Sequence, residues 1–307
     1  MLRDTQRNEA YQRAIAHAVK PGDVVLDMGA GTGILSIFAA AAGARRVYAV
    51  ERTVIAEVAR KVIESNGYSE CIEVLHSDLE DVRLPEKVDV ILSEWMGGFG
   101  VDENVLAPLV MARDRWLRPG GKMVPGSVTA MMAPAHMPDF DEAVAHWRTR
   151  PHGVDMSVIA DLTTQENFHT QAPPALIAPP QIMWSHDPLV CSLEEADRSF
   201  TTKLAFEATH AGTLSGVVTW FVADMGDGTT LTNAVGDPDT HWGRSLFPLD
   251  RPIDLAAGAR IDVELHCDPS MPGSCEFGWT VKVADHPIEV HETRPVRRER
   301  ARKNLAR

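Results

Sequence analysis

The sequence is poor in cysteine, in positive charge and in long apolar runs. Its 307 residues include only four cysteines, none of them in a CxxC pair, so neither a zinc site nor a disulfide framework is indicated. The longest apolar run, residues 34–44, is too short to span a bilayer, and the first ten residues contain no apolar signal segment. We therefore expect a cytoplasmic protein without a membrane partner.

Positive charge is scarce, since 30 lysine and arginine residues stand against 43 aspartate and glutamate residues, a net charge of −13. The last stretch, residues 290–307, holds six arginines and one lysine against two glutamates. The rest of the chain is therefore more acidic than the total indicates, which disfavours phosphate contacts with nucleic acid and suits a cationic substrate. A solvated acidic surface explains the same balance without any ligand.

Hydrophobic periodicity predicts a parallel α/β sheet in the first part of the chain. Apolar runs typical of buried strands alternate there with helical segments that end at Gly or Pro-Gly. The predicted strands are residues 24–28, 46–51, 72–76, 88–94 and 121–125. After residue 125, short alternating runs punctuated by Gly, Pro and Asp are typical of an all-β domain.

These patterns predict two domains, the first over residues 1–126 and the second over residues 127–289. The basic tail, residues 290–307, has the composition of a disordered segment. Within the second domain, residues 139–162 have a helical pattern. This helical excursion is either a docking arm or a long insertion.

The first chemical signal is VVLDMGAGTGILS, which places Gly29, Gly31 and Gly33 between a strand and a helix. Such glycines allow a tight turn and bring backbone N–H groups close to a ligand at the helix N-terminus. The dinucleotide pattern GxGxxG needs glycine at position 34, which is Ile34, so pyrophosphate binding is not favoured. The spacing instead suits S-adenosyl-L-methionine, although a purely structural turn is also compatible with it.

Acidic residues near the strand ends extend this predicted cofactor site. Glu51 ends the second strand, where an acid about 20 residues after the loop accepts hydrogen bonds from ribose hydroxyls. Leu79 and Glu80 follow the third strand, and Glu80 is in a position to accept a hydrogen bond from the adenine amino group. An exposed acidic loop is the alternative there. Asp27, in the stretch that carries the glycines, completes the cofactor-binding set.

The segment SEWMGGFGVDENVL, residues 93–106, contains two glutamates, Glu94 and Glu103, which indicate a binding site for a cationic ligand. Glu94 ends the fourth strand, at the edge of the sheet where ligands of open α/β proteins bind. Glu103 begins a helix after a glycine-rich loop, which can fold back and bring both carboxylates onto one planar guanidinium. The alternative is an ordinary acidic strand end and a carboxylate that complements a helix dipole.

A pair of carboxylates would also promote chemistry on a guanidinium. Its nitrogens are poor nucleophiles because the positive charge is delocalised over them. Two carboxylates draw this charge away from one nitrogen and orient that nitrogen toward a methyl sulfonium for in-line attack. Like charge also raises the proton affinity of one glutamate, which could then accept the proton after methyl transfer.

Four segments resemble the protein arginine methyltransferase family: MLRDTQRNEAYQRAI, VLDMGAGTGILSIFAAAAGARRVYAVE, SEWMGG with DENVL, and DTHWGRSLF at residues 239–247. The resemblance implies a Rossmann-like S-adenosylmethionine-dependent methyltransferase domain, a β-barrel domain and an inserted helical dimerisation arm at residues 139–162. It therefore implies a homodimer. The chain resembles a compact type I member without the family's N-terminal aromatic helix, so we expect the cofactor's lid to be absent, supplied by other segments, or lost to a misassigned start of the sequence.

The resemblance also implies a role for each matching residue. Glu94 and Glu103 form the guanidinium clamp, and Arg7 pairs with the cofactor's carboxylate. His241 pairs with Asp4 beside the substrate pocket, where the carboxylate holds the tautomer of the imidazole. The expected catalytic residues are Glu94, Glu103, His241 and Asp4, the cofactor-binding residues are Arg7, Asp27, Gly29, Gly31, Gly33, Glu51, Leu79 and Glu80, and the pocket residues are Trp95, Met96 and Trp242.

Three functions are compatible with these residues, and none of them requires a metal. We favour methylation of the guanidino nitrogens of arginine in a protein or peptide. A close alternative is methylation of free arginine or another small guanidine. The third is a binding module that holds S-adenosylmethionine without turnover, against which the intact Glu94, Glu103 and His241 argue.

Overall fold

The computed structural model describes residues 1–271, 273–284, 286 and 289–292, which form two compact units. The first unit contains Met1–Thr129, Ser185–Arg198 and Phe221–Thr232, and the second contains the rest.

The first unit is not limited to the predicted residues 1–126, because two later segments of the chain return to it. One return is held by Arg113, whose Nη1 donates to the carbonyls of Pro188 and Cys191 at 2.6 and 2.7 Å. The other is held by the Gly126 N–H, which donates to the carbonyl of Asp224 at 2.8 Å.

The first unit contains the predicted parallel sheet. Its strands are β1 (Val24–Met28), β2 (Arg46–Glu51), β3 (Ile72–His76), β4 (Val88–Ser93) and β5 (Leu117–Val124), in the order β3-β2-β1-β4-β5. All five residues of β1 are buried, as is typical of parallel strands covered by helices on both faces. The predicted strands are confirmed, although β4 ends at Ser93, one residue before Glu94, and β5 begins earlier than predicted.

Helices lie between strands of the parallel sheet, as the sequence predicts, and one helix precedes β1. They are α1 (Thr5–Ala18), α2 (Ile34–Ala41), α3 (Ile55–Ser65), α4 (Leu106–Trp116), α5 (Pro138–Arg148), α6 (Ser157–Thr163) and α7 (Leu193–Asp197), with short 3-10 turns at Leu79–Asp81 and Pro151–Gly153. Among the described residues, every helix is too short or too polar to cross a membrane.

Antiparallel sheets build the second, barrel-like domain, which confirms the all-β prediction. The remaining strands are β6 (Ser127–His136), β7 (Phe168–Thr170), β8 (Ala175–Leu176), β9 (Gln181–His186), β10 (Phe200–Glu207), β11 (Gly212–Asp224), β12 (Thr230–Thr232), β13 (Arg244–Leu255), β14 (Arg260–Met271), β15 (Ser274–Val283) and β16 (Glu289–Glu292). One sheet has the order β10-β14-β15-β16 and the other β7-β13-β11-β6-β8. Buried residues alternate with more exposed ones along β15, and the rings of Phe247 and Trp279 meet edge to face in the core.

The predicted helical excursion at residues 139–162 is confirmed as helical by α5 and α6. Three apolar side chains of this segment are exposed, namely Val154, Val158 and Leu162, by 51%, 60% and 41%. The basic tail differs from its prediction at its start, since residues 290–292 belong to β16. Its other residues lie outside the described part of the chain.

Candidate active site

The glycine loop connects β1 to α2 in a conformation that only glycine adopts readily. Gly29, Gly31 and Gly33 have φ angles of 75°, 55° and 82°. The N–H groups of Gly29 and Ala30 donate to the carbonyl of Val50 at 2.9 and 3.0 Å, which ties the loop to β2. A Cβ added at Gly29 or Gly31 would meet no atom within 4 Å. The loop therefore leaves open space at the carboxyl edge of the sheet.

Glu51, at the end of β2, is 7% exposed and fastens this loop. Its Oε2 accepts a hydrogen bond from the Gly31 N–H at 3.0 Å, and its Oε1 accepts from the N–H and the hydroxyl of Thr53 at 2.8 and 2.7 Å. A carboxylate has about four acceptor sites, so these contacts leave capacity for a ligand's hydroxyl groups. The predicted contact of Glu51 with ribose stays a prediction.

Asp27, near the end of β1, is a fully buried acid with an unsatisfied oxygen. Its Oδ2 accepts from the Ser36 hydroxyl at 2.6 Å, whereas its Oδ1 has no hydrogen-bond partner among the described residues. Burial is the main cause that raises the pKa of this carboxyl to about 6. A buried acceptor without a donor is expected next to a ligand that supplies one, so Asp27 fits its predicted place in a cofactor site.

Leu79 and Glu80 lie in the 3-10 turn Leu79–Asp81 that follows β3. The side chain of Glu80 is exposed, and its backbone carbonyl accepts from Arg83 and Arg115 at 2.7 and 3.1 Å. These two arginines fix the backbone of the turn and leave the carboxylate on the surface. The predicted contacts of Leu79 and Glu80 with the cofactor stay predictions.

The N-terminal helix α1 places a buried arginine beside one of the two predicted clamp residues. Asp4 caps the helix, because its Oδ1 accepts from the Arg7 N–H at 2.9 Å. Arg7 is 2% exposed, and its Nη2 lies 3.6 Å from Oε2 of Glu94. Its Nη1 donates to Asn8 at 2.9 Å, whereas its Nε has no hydrogen-bond partner among the described residues. Arg7 therefore has a donor for a ligand's carboxylate.

The segment between Glu94 and Glu103 folds back on itself, as the sequence predicts. Asp102 holds it closed by accepting from the N–H groups of Gly98 and Phe99 at 2.9 and 3.3 Å. Gly97 has a φ of 52°, and a Cβ there would lie 2.5 Å from the Asp102 carboxylate. The loop closes this tightly because position 97 has no side chain.

The charges of this loop interact. Glu103 is an exposed residue, yet its pKa is raised to about 7. The largest cause is partial desolvation of the carboxyl, followed by the negative charges of Glu94 and Asp102. The pKa of Tyr11 is raised well above its usual value, first by burial and then by the charge of Glu94. The negative charge of Glu94 therefore acts on Glu103, and a cation bound between the two carboxylates would relieve this repulsion.

Trp95 and Met96, the predicted walls of the substrate pocket, lie in the interior of the first unit. They are 1% and 0% exposed, and Met96 Sδ lies 3.6 Å from the hydroxyl of Tyr11. Both side chains are therefore buried among other residues, and their role as pocket walls stays a prediction.

The loop that contains Thr240, His241 and Trp242 belongs to the second unit, where hydrogen bonds hold it. Gln171 donates to the Thr240 carbonyl at 3.1 Å, and Asn233 donates to the carbonyl of Gly243. The rings of His241 and Trp242 lie 4.1 Å apart, and Trp242 is 8% exposed. Because His241 and Asp4 belong to different units, their pairing stays a prediction, as does the pocket role of Trp242.

Sequence reasoning missed two residues of the site, Tyr11 and Asp102. Tyr11 follows Asp4 and Arg7 at the spacing i, i+3, i+7, which places all three on one face of α1, so helical periodicity could have found it. Asp102 directly precedes Glu103, but no local pattern shows that its carboxylate closes the loop.

Two family models match the chain. The arginine methyltransferase oligomerization subdomain matches residues 128–276, and the ribosomal protein L11 methyltransferase (PrmA) matches residues 10–123. A probable protein arginine N-methyltransferase 6 of Arabidopsis thaliana is 39% identical over 300 residues, covering 83% of this chain and 68% of the relative. Protein arginine N-methyltransferase 6 of Xenopus laevis is 34% identical over 282 residues, covering 88% and 83%.

Solved structures agree over nearly the whole chain. The Trypanosoma brucei PRMT1 enzyme-prozyme heterotetrameric complex with AdoHcy has a TM-score of 0.85 at 28% identity, covering 96% of both chains. Arabidopsis thaliana protein arginine methyltransferase 10 has a TM-score of 0.77 at 32% identity, covering 95% of both.

Proposed function

The chain belongs to the protein arginine methyltransferase family, and we propose that it methylates guanidino nitrogens of arginine in protein or peptide substrates with S-adenosyl-L-methionine. The observation that carries the proposal is the folded loop that couples Glu94 to Glu103, with the buried Arg7 beside Glu94. Two carboxylates provide a site for the guanidinium, and the arginine provides one for the cofactor's carboxylate.

S-adenosyl-L-methionine supplies an electrophilic methyl group on a sulfonium. Of the residues that would hold it, Arg7 would donate from Nε to the methionyl carboxylate, and Asp27 would accept at Oδ1 from a donor of the cofactor. Glu51 would accept from the ribose and Glu80 from the adenine. The space beside Gly29 and Gly31 would let the ligand approach the backbone of the glycine loop.

Glu94 and Glu103 would bind the substrate guanidinium and polarise it. Their negative charges draw positive charge toward the nitrogens that they contact, which leaves the attacking nitrogen more nucleophilic. They also fix its direction of approach. Glu103, with a pKa of about 7, can take up a proton near neutral pH, so we assign it the proton released after transfer.

The pH dependence of peptide binding should report the Glu103 carboxyl. Below a pH of about 7 this acid is protonated and loses the charge that holds the guanidinium, so affinity for an arginine peptide should rise as pH increases through about 7. The midpoint belongs to the coupled pair of glutamates rather than to one of them. Calorimetric titration of peptide into the complex with S-adenosylhomocysteine measures this affinity.

Glu103→Gln is the matched variant, since an amide cannot titrate in this range. It should abolish the rise, while cofactor affinity keeps the same pH dependence in both proteins. An unchanged rise in the variant would assign the titration to another group.

We also propose that residues 139–162 are a dimerisation arm and that the protein is a homodimer. The match to an oligomerization subdomain and the exposed Val154, Val158 and Leu162 support this proposal.

Val158→Glu should shift the sedimenting mass from two chains to one. Ile182→Glu, at an equally exposed apolar side chain outside the arm, should leave it at two. A wild-type monomer at micromolar concentration would contradict the proposal.

The test of the function is to incubate the protein with methyl-labelled S-adenosylmethionine and an arginine-rich peptide. A peptide with lysine in place of arginine is the control, and free L-arginine is a separate arm. Label on the arginine peptide alone is expected, and mass spectrometry then counts the methyl groups. Label on free arginine alone would indicate a small-molecule methyltransferase. No label in any arm, despite measured cofactor binding, would refute the proposal.

A further inference from the structure

We propose that Tyr11 is a positioning residue that holds both members of the Arg7–Glu94 pair, its ring acting on the cofactor side and its hydroxyl on the substrate side. The inference rests on the proposed function, because it assigns Arg7 to the cofactor and Glu94 to the guanidinium.

The ring of Tyr11 supports Arg7. The guanidinium carbon lies 5.2 Å from the ring centroid, within the range of a cation–π interaction. Tyr11 is fully buried and Arg7 is 2% exposed, so water scarcely competes for the cation. The two residues are one helical turn apart on α1, whose backbone fixes the ring under the guanidinium.

The hydroxyl of Tyr11 supports Glu94 through the backbone. It donates to the carbonyl of Ser93 at 3.0 Å, and Ser93 is the last residue of β4, directly before Glu94. On the other side, the Ser93 hydroxyl donates to the carbonyl of Met28 at 3.2 Å. The residue before the glutamate is thus held from α1 and from β1. Because the pKa of Tyr11 is well above its usual value, the phenol stays protonated and keeps donating.

Two substitutions at position 11 separate the contact of the ring with Arg7 from the contact of the hydroxyl with the Ser93 carbonyl. Tyr11→Phe keeps the ring and removes the hydroxyl, so it should lower kcat/KM for an arginine peptide about tenfold, the size expected for one lost buried hydrogen bond. Its affinity for S-adenosylhomocysteine, measured by calorimetry, should match the wild type. Tyr11→Leu removes the ring as well and should additionally weaken S-adenosylhomocysteine binding on the order of tenfold.

Tyr48→Phe is the matched control for loss of a tyrosine hydroxyl in the same unit. Tyr48 lies on β2, is 4% exposed, and donates to Glu86 at 3.4 Å, away from the site. It should leave both kcat/KM and S-adenosylhomocysteine affinity unchanged. A similar loss of melting temperature in the two Phe variants would show that general destabilisation does not explain a selective kinetic effect.

Tyr11→Phe by itself tests whether the hydroxyl supports Glu94, because this variant preserves the ring. Its melting curve shows whether the variant is folded. Unchanged kcat/KM, or equal losses in kcat/KM and S-adenosylhomocysteine affinity, would overturn the inference. Equal S-adenosylhomocysteine affinities of folded Phe and Leu variants would overturn the ring's role. A wild-type protein that binds cofactor but methylates no peptide would instead refute the proposed function, and the calorimetric comparison would still test the ring.

Discussion

Glu94→Gln is expected to lower kcat for an arginine peptide by a factor of about 100 or more, while the Kd for S-adenosylhomocysteine changes little. The amide has the shape of the carboxylate but not its charge, so the guanidinium loses the group that polarises and orients it. The cofactor keeps its contacts, because Arg7 remains supported by the ring of Tyr11 and by the cap at Asp4. Steady-state kinetics and calorimetry measure the two quantities.

Glu70→Gln is the control for removal of one negative charge, since Glu70 is an exposed residue of the same unit. It should leave kcat and Kd unchanged. A comparable loss of cofactor affinity in Glu94→Gln would show that Glu94 acts mainly by holding Arg7 and is not a substrate clamp.

Arg7→Ala should weaken the cofactor by a factor of about 10 to 100, the range expected for loss of a charge-assisted hydrogen bond. The guanidinium is buried, so its attraction for a carboxylate is poorly screened by water and salt. The substitution also removes a cation from beside Glu94, which makes the site more negative around an anionic group of the cofactor. Both effects raise the Kd for the cofactor.

Arg13→Ala removes the same side chain from the exposed face of α1 and is the matched control. Cofactor affinity should be unchanged in it. Arg7→Lys should recover only part of the affinity, because an ammonium cannot reproduce the planar fork of donors. An unaltered Kd in folded Arg7→Ala would remove Arg7 from the cofactor site.

The strands of the first unit could be predicted because their signals are local. Buried parallel strands appear as short apolar runs, and the glycines that end helices and form the loop after β1 are visible in the sequence. The return of residues 185–198 and 221–232 to the first unit could not be predicted, because it depends on contacts with distant residues. Local pattern carries no information about such contacts.

The candidate site also contains residues that the sequence could predict and residues whose environment it could not. The spacing of Glu94 and Glu103 was compatible with a guanidinium site and with ordinary acidic residues, and the family resemblance favoured the first; Arg7 was predicted from the resemblance alone. That Trp95 and Met96 turn into the core could not be predicted, because apolar residues suit a pocket wall and a protein interior equally well.

The sequence by itself determined the chemistry that is available: a glycine loop, acids at the strand ends, and two glutamates on a loop that can close. Only the tertiary structure decided how that chemistry is tuned. It brought Arg7 and Tyr11 of α1 against the end of β4, and it raised the pKa of Glu103 to about 7. Burial and the distance between charges set these properties, and both arise only when segments far apart in the chain pack together.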